Sequence, residues 1–137
     1  MNNDNKDTGL NVQNLSVQSF TIKDESFEKG VYSFTFTSEI TIPVNRFNSE
    51  IHILIYDFND KMIKHLYSEV GVPQDPERPG NLSYKFKTSI DKGFDPQKTY
   101  ELRMSNVESG RSTLSEVDLM QNEFFKTNIT TIHMEVL

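Results

Sequence analysis

In segment after segment of this chain, apolar residues alternate with polar ones at a spacing of two, and that pattern excludes most architectures. Successive side chains of a strand point to opposite faces. A run such as Tyr32-Ser33-Phe34-Thr35-Phe36-Thr37 therefore sets three aromatic rings against three small polar groups. The period recurs in Leu82, Tyr84 and Phe86 against Ser83, Lys85 and Lys87, and in Tyr100, Leu102 and Met104 against Glu101 and Arg103. It returns at the end of the chain in Ile132, Met134 and Val136. Helix-like spacing is confined to Leu114, Val117 and Met120, so Glu108 to Gln121 reads as a short helix or a long loop.

The remaining segments fit the same scheme. Leu15 and Val17, then Phe20 and Ile22, form a first strand whose alternation slips at Gln18-Ser19, as in a strand that bulges and crosses between sheets. Asp24 to Gly30 reads as a polar turn, and the strand from Val31 runs through Ile40 and Ile42 to Pro43, which cannot donate to a ladder. Ile51, Ile53 and Ile55 alternate with His52, Leu54 and Tyr56, so neither face is purely polar and a central strand is expected. Asn59-Asp60 is the expected hairpin turn, with Met62 to Tyr67 as the returning partner. Gly71 to Gly80 holds three of the five prolines, Pro73, Pro76 and Pro79, and reads as a stiff surface loop. Asp91-Lys92-Gly93 closes the strand that starts near Leu82.

About seven short strands with turn signals between them predict an all-β fold: a single antiparallel two-sheet β-sandwich, with a small barrel as the alternative. At 137 residues the chain fits one domain. Residues 1–12 are expected to be a polar N-terminal arm and 13–137 the sandwich. With hydrophobic residues at 35%, ten Phe and no Trp, phenyl rings must supply much of the core.

Phe94-Asp95-Pro96-Gln97-Lys98-Thr99-Tyr100 resembles the segment entering the sixth strand of fibronectin type III domains. The resemblance implies an immunoglobulin-like or fibronectin-III-like sandwich with a tyrosine corner, in which Pro96 sets the corner and the Tyr100 hydroxyl bonds back to nearby backbone. Both roles are structural. The core Trp of that family has no counterpart in this chain. The hairpin Ile53 to Tyr67 is also similar to those of bacterial sandwich domains that bind polysaccharide or inhibit proteases.

Composition narrows the chemistry. A formal charge of -6 and a pI near 5.0, with basic residues scattered singly, argue against nucleic acid. The absence of Cys removes disulfides, thiolate metal sites and a cysteine nucleophile. No Gly-x-Ser-x-Gly elbow or Gly-rich phosphate loop occurs, so no catalytic residue is assigned and no enzyme activity is expected. The polar start and the lack of a membrane-span-length apolar run point to a soluble chain without a signal peptide, cytoplasmic or virion-associated, with a mature secreted form left open.

Counting outward from Asn59-Asp60 pairs Phe58 with Lys61, Leu54 with His65 and His52 with Tyr67. His52, Tyr56, Ile63, His65 and Tyr67 then share an external face, opposite the isoleucines. His52, Tyr56, His65 and Tyr67 are the candidate interaction face, and Pro73, Pro76 and Pro79 the candidate interaction loop. The alternative is that a neighbouring segment covers the face. Two His across a hairpin lack a third ligand, and Asp57, Asn59 and Asp60 lack the Gly and distal Glu of a calcium loop, so neither metal nor cofactor is expected. The leading expectation is a noncatalytic module that binds a protein partner or assembles with itself, as in phage particles. The alternatives are a carbohydrate-binding accessory module, with Tyr56, Tyr67 or Tyr84 stacking on sugar rings, and a protease inhibitor acting through residues 71–80.

Overall fold

The alternation that dominates the sequence becomes seven strands in a computed structural model, which describes residues 15–72, 77–91, 94–110 and 114–129. They are β1 (Ser16–Glu28), β2 (Val31–Ile42), β3 (Ser49–Tyr56), β4 (Met62–Glu69), β5 (Gly80–Ile90), β6 (Tyr100–Glu108) and β7 (Glu123–Ile129). One short helix, α1 (Glu116–Gln121), lies between β6 and β7. Every strand pair is antiparallel, in two sheets ordered β1-β2-β5 and β4-β3-β6-β7. The protein is an immunoglobulin-like, fibronectin-III-like β-sandwich.

β2 is the central strand of the smaller sheet, and its inner face is buried from end to end, with Ser38, its hydroxyl on the Ser19 carbonyl, as the one small polar member of the row. Tyr32, Phe34, Phe36, Ile40 and Ile42 are all buried there. They meet Ile51, Ile53 and Ile55 of β3 and Leu102 and Met104 of β6 in one continuous core. Aromatic contacts run the length of it. Phe36 stacks on Phe86 at 5.3 Å, Tyr32 on Phe94 at 4.9 Å, and Phe20 of β1 reaches across to Phe125 of β7 at 5.4 Å. Such pairs are worth roughly 0.5–1.5 kcal/mol each beyond the area they bury.

β1 departs from its sequence reading. It continues to Glu28, through the segment expected to turn, and pairs with β2 throughout instead of crossing between sheets. Two register shifts allow this, one at the expected slip between Val17 and Ser19 and one between Lys23 and Ser26. Asp24, with φ 54°, takes up the second irregularity. The reversal needs only Lys29 and Gly30, both at positive φ, as a two-residue hairpin turn of matching twist requires.

The β3–β4 pairing matches expectation at Leu54↔His65 and His52↔Tyr67, but not at the tip. The turn is centred on Phe58-Asn59, with Asp60 left-handed at φ 63°, because Asp57 caps it. The Asp57 carbonyl accepts from the Asp60 N–H, and the Asp57 carboxylate accepts from the N–H groups of Asn59 and Lys61. The ladder shifts after Ile55, and Tyr56 faces Met62 rather than Ile63.

The seventh strand, β7, was not assigned from sequence. The expected strand at Ile132, Met134 and Val136 lies outside the described residues, as do the arm at 1–12, Pro73, Pro76 and part of the turn Asp91-Lys92-Gly93. The tyrosine corner is present. The Tyr100 hydroxyl oxygen accepts from the Asp95 N–H at 2.9 Å, while Pro96 occupies a turn closed by the Lys98 N–H on the Asp95 carbonyl. Burial holds the Tyr100 phenol protonated by raising its pKa.

Removing that hydroxyl strands the Asp95 N–H while leaving the ring in place. Tyr100→Phe is therefore expected to destabilise the fold by about 1–2 kcal/mol, seen as a lower urea midpoint with an unchanged slope. An unshifted midpoint would show that the corner bond contributes nothing net.

Candidate functional site

β3 carries two kinds of cargo. Its odd-numbered isoleucines enter the core between the sheets, and Glu50, His52, Leu54 and Tyr56 project to the outer face of the four-stranded sheet. β6 adds Glu101, Arg103, Ser105 and Val107 beside them, and β4 adds His65, Tyr67 and Glu69. This is the face singled out from sequence, and the structure divides it in two.

One half is covered by α1. Ser115 caps the helix in a capping box with Asp118, which fixes where it starts. Leu119 then packs on Leu54, Tyr56 and Val107 to form a second small core. The Ser105 hydroxyl donates to the Leu119 carbonyl at 2.6 Å, and the Tyr56 hydroxyl donates to the Glu116 carboxylate at 2.8 Å. The Arg103 guanidinium lies 3.9 Å from the Tyr56 ring centre and pairs with Glu101 and Asp60. Tyr56 is only 2% exposed. Burial, and then the bond to Glu116, push its pKa up to about 12. Tyr56 is therefore a structural residue, not part of an open interaction face. The sequence allows a short helix here and a neighbouring segment over this face, but its helix-like spacing marks Val117 and Met120, which are exposed, whereas Leu119 makes the contact; the Ser115-x-x-Asp118 cap marks where the helix starts.

The other half stays open. His52 is buried, but His65 and Tyr67 are exposed, Tyr67 by 60%. The Tyr67 ring lies nearly parallel to the His52 ring, with centroids 5.3 Å apart and planes at 15°. His52 Nε2 is 2.9 Å from Glu50 Oε1, and His52 Nδ1 is 2.7 Å from His65 Nε2. A carboxylate only accepts, so neutral His52 carries its proton on Nε2, and Nδ1 accepts from the His65 Nε2–H. The relay Glu50–His52–His65 thus locks the platform on which Tyr67 rests. Ile63, at 37% exposure, continues this strip along the edge strand β4.

A second feature lies at the end of the sandwich that carries the β3–β4 hairpin. A cavity of about 400 Å³ opens there, with Ile90, Phe94 and Tyr100 buried at its base and Phe58 and Lys61 exposed at its rim. Lys98 lies over the Phe58 ring at 5.2 Å. Among the other candidates, Tyr84 lies on the inner side of β5 with its hydroxyl buried and unbonded among the described residues, and burial pushes its pKa up to about 12. It offers no open ring for stacking. Pro79 is exposed just before β5. Among the described residues no group of three or more His, Cys, Asp or Glu could hold a metal ion. No helix of the described residues is long and apolar enough to cross a membrane.

No family model matches the chain, and no curated protein matches it in sequence. Solved structures do match its shape. A beta-glucuronidase from glycoside hydrolase family 2 aligns over 81% of this chain at 13% identity with a TM-score of 0.56. A candidate beta-galactosidase of Bacteroides fragilis aligns over 89% at 12% identity with a TM-score of 0.50. The chain spans only 11% and 16% of those two proteins, so each match is to one domain of a much larger chain. At these identities the likeness establishes the two-sheet sandwich fold.

Burial lowers the His65 pKa from its ordinary 6.5, and the neighbouring His52 lowers it further. The folded chain then binds this proton less readily than the unfolded chain does. Its contribution to stability is complete above pH 6.5 and is lost as pH falls through the lower folded value. His65→Gln keeps a donor for His52 without titrating. Its melting temperature is expected to drop less than that of the wild type between about pH 7 and pH 5. Equal drops would assign the acid sensitivity elsewhere.

Proposed function

We propose that this chain is a noncatalytic, carbohydrate-associated accessory module that contacts a glycan through the open half of its outer sheet face. The observation that carries this reading is the Tyr67 ring, 60% exposed and held flat on His52. An aromatic face fixed in advance binds the apolar face of a sugar at little entropic cost. The flanking His65 and Glu69 supply polar groups for hydroxyls. The shape match to single domains of a beta-glucuronidase and a candidate beta-galactosidase, both carbohydrate-active enzymes, supports the same reading.

Of the three tyrosines considered for stacking, Tyr67 alone presents an open ring. A glycan array is expected to show saturable binding by the wild-type chain that weakens about tenfold in Tyr67→Ala and survives Tyr84→Phe. Absence of binding to every glycan on the array would overturn the proposal.

A second reading uses the same strip for a protein partner or a second copy, in an assembly role. Ile63 and Tyr67 favour it, because apolar and aromatic groups projecting from an edge strand are natural contact points. Molar mass by light scattering is expected to rise with concentration in that case, and Tyr67→Ala to abolish the rise. A constant monomer mass would remove self-assembly.

A further inference from the structure

The cavity beside the β3–β4 hairpin contains a lysine where the fold calls for an apolar side chain. Lys64, Leu66 and Ser68 are the inward positions of β4, whereas Met62, past the ladder shift, packs on the outer cluster of Leu54 and Tyr56; Lys64 stands opposite the fully buried Ile55. An inward charge on an edge strand discourages a further strand from adding there. Lys64 does more than that, because it is half-buried at the wall of the cavity and no carboxylate of the described residues forms an ion pair with it. The exposed Lys61 lines the same space.

The two acids nearby are already engaged. One oxygen of Asp57 accepts the Asn59 and Lys61 N–H groups, and one oxygen of Asp91 accepts the Ser89 hydroxyl. Each retains a second oxygen, which can accept from a ligand hydroxyl. The base, formed by Ile90, Phe94 and Tyr100, is apolar. A volume of about 400 Å³ lies within the range of small-molecule sites and accommodates a single six-membered ring with its substituents.

From this combination we propose that the cavity binds a small ring-bearing carboxylate, its ring against Phe94 and Tyr100 and its carboxylate on Lys64 and Lys61. A sugar acid and an aromatic acid share this chemistry; the free oxygens of Asp57 and Asp91 favour the sugar acid. The site is separate from the Tyr67 strip and does not depend on the glycan reading of that strip.

The test is a titration followed by amide NMR shifts of the full chain, with sodium glucuronate, glucose, benzoate and benzyl alcohol at matched ionic strength. Saturable shifts at Phe58, Lys64 and Tyr100 are expected with glucuronate or benzoate, and at least tenfold weaker binding of the matching uncharged compound. Lys64→Met puts an apolar side chain at an inward position, so the variant is expected to stay folded, as a dispersed spectrum checks, and to bind the carboxylate at least tenfold more weakly. Tyr67→Ala is expected to titrate like the wild type, which separates this site from the strip. Failure of both carboxylates to give saturable shifts, equal binding of charged and uncharged rings, or an unchanged titration in Lys64→Met would each overturn the proposal.

Discussion

The structure depends on phenyl rings filling the gap between two sheets. Facing sheets stand about 10 Å apart, and a chain without Trp must bridge that distance with Phe and Tyr. β2 supplies Tyr32, Phe34 and Phe36 at alternate positions: Tyr32 meets Phe94 from the turn before β6, Phe36 meets Phe86 of β5 and Phe20 of β1, and Phe34 lies between its two β2 neighbours. Because the rings sit two residues apart, a slip of one residue in β2 would turn them all to solvent. The pairing of β2 with β1 and β5 is therefore fixed by the core, and the position of everything attached to those strands follows.

The outer sheet face shows how a small element changes the meaning of residues it never neighbours in sequence. α1 has six residues, yet Leu119 and Glu116 convert Leu54 and Tyr56 from surface groups into a second core. What remains open is the strip nearest the β4 edge. There the polar relay from Glu50 through His52 to His65 holds Tyr67 in one orientation. The division is sharp because Arg103, packed on Tyr56 and paired with Glu101 and Asp60, ties the hairpin tip to β6.

Much of this was legible in the sequence because it rests on period-two patterning. The inner face of β2, the central position of β3, the Leu54↔His65 and His52↔Tyr67 pairings and the tyrosine corner all come from spacings that strand geometry dictates. Other elements follow different physics. β1 continues through Asp24 because bulges absorb the irregularity, and bulges leave no clear compositional mark. The hairpin tip is set by the Asp57 side chain, which shifts the turn by one residue. β7 begins Glu123-Phe124-Phe125, with two adjacent rings that both pack on the core, so its alternation is blurred. Within the candidate site, Tyr67 and His65 were readable as exposed, whereas Tyr56 was lost to a helix some sixty positions downstream. Arg46 was also missed: it is buried with its guanidinium bonded to Asn106, a partner that only the folded chain brings near.

The doubly interrupted β1 has a consequence for how such a domain behaves in company. An unpaired strand edge is a row of donors and acceptors against which another polypeptide can zip, and the smaller sheet has β1 at one margin. Its register breaks between Val17 and Ser19 and again between Lys23 and Ser26, leaving the stretch from Ser19 to Lys23 as the regular run between them. An incoming strand would lose its match after those few residues. The irregularity works like gaps in the teeth of a zipper, and it shortens the stretch of β1 against which another strand can pair.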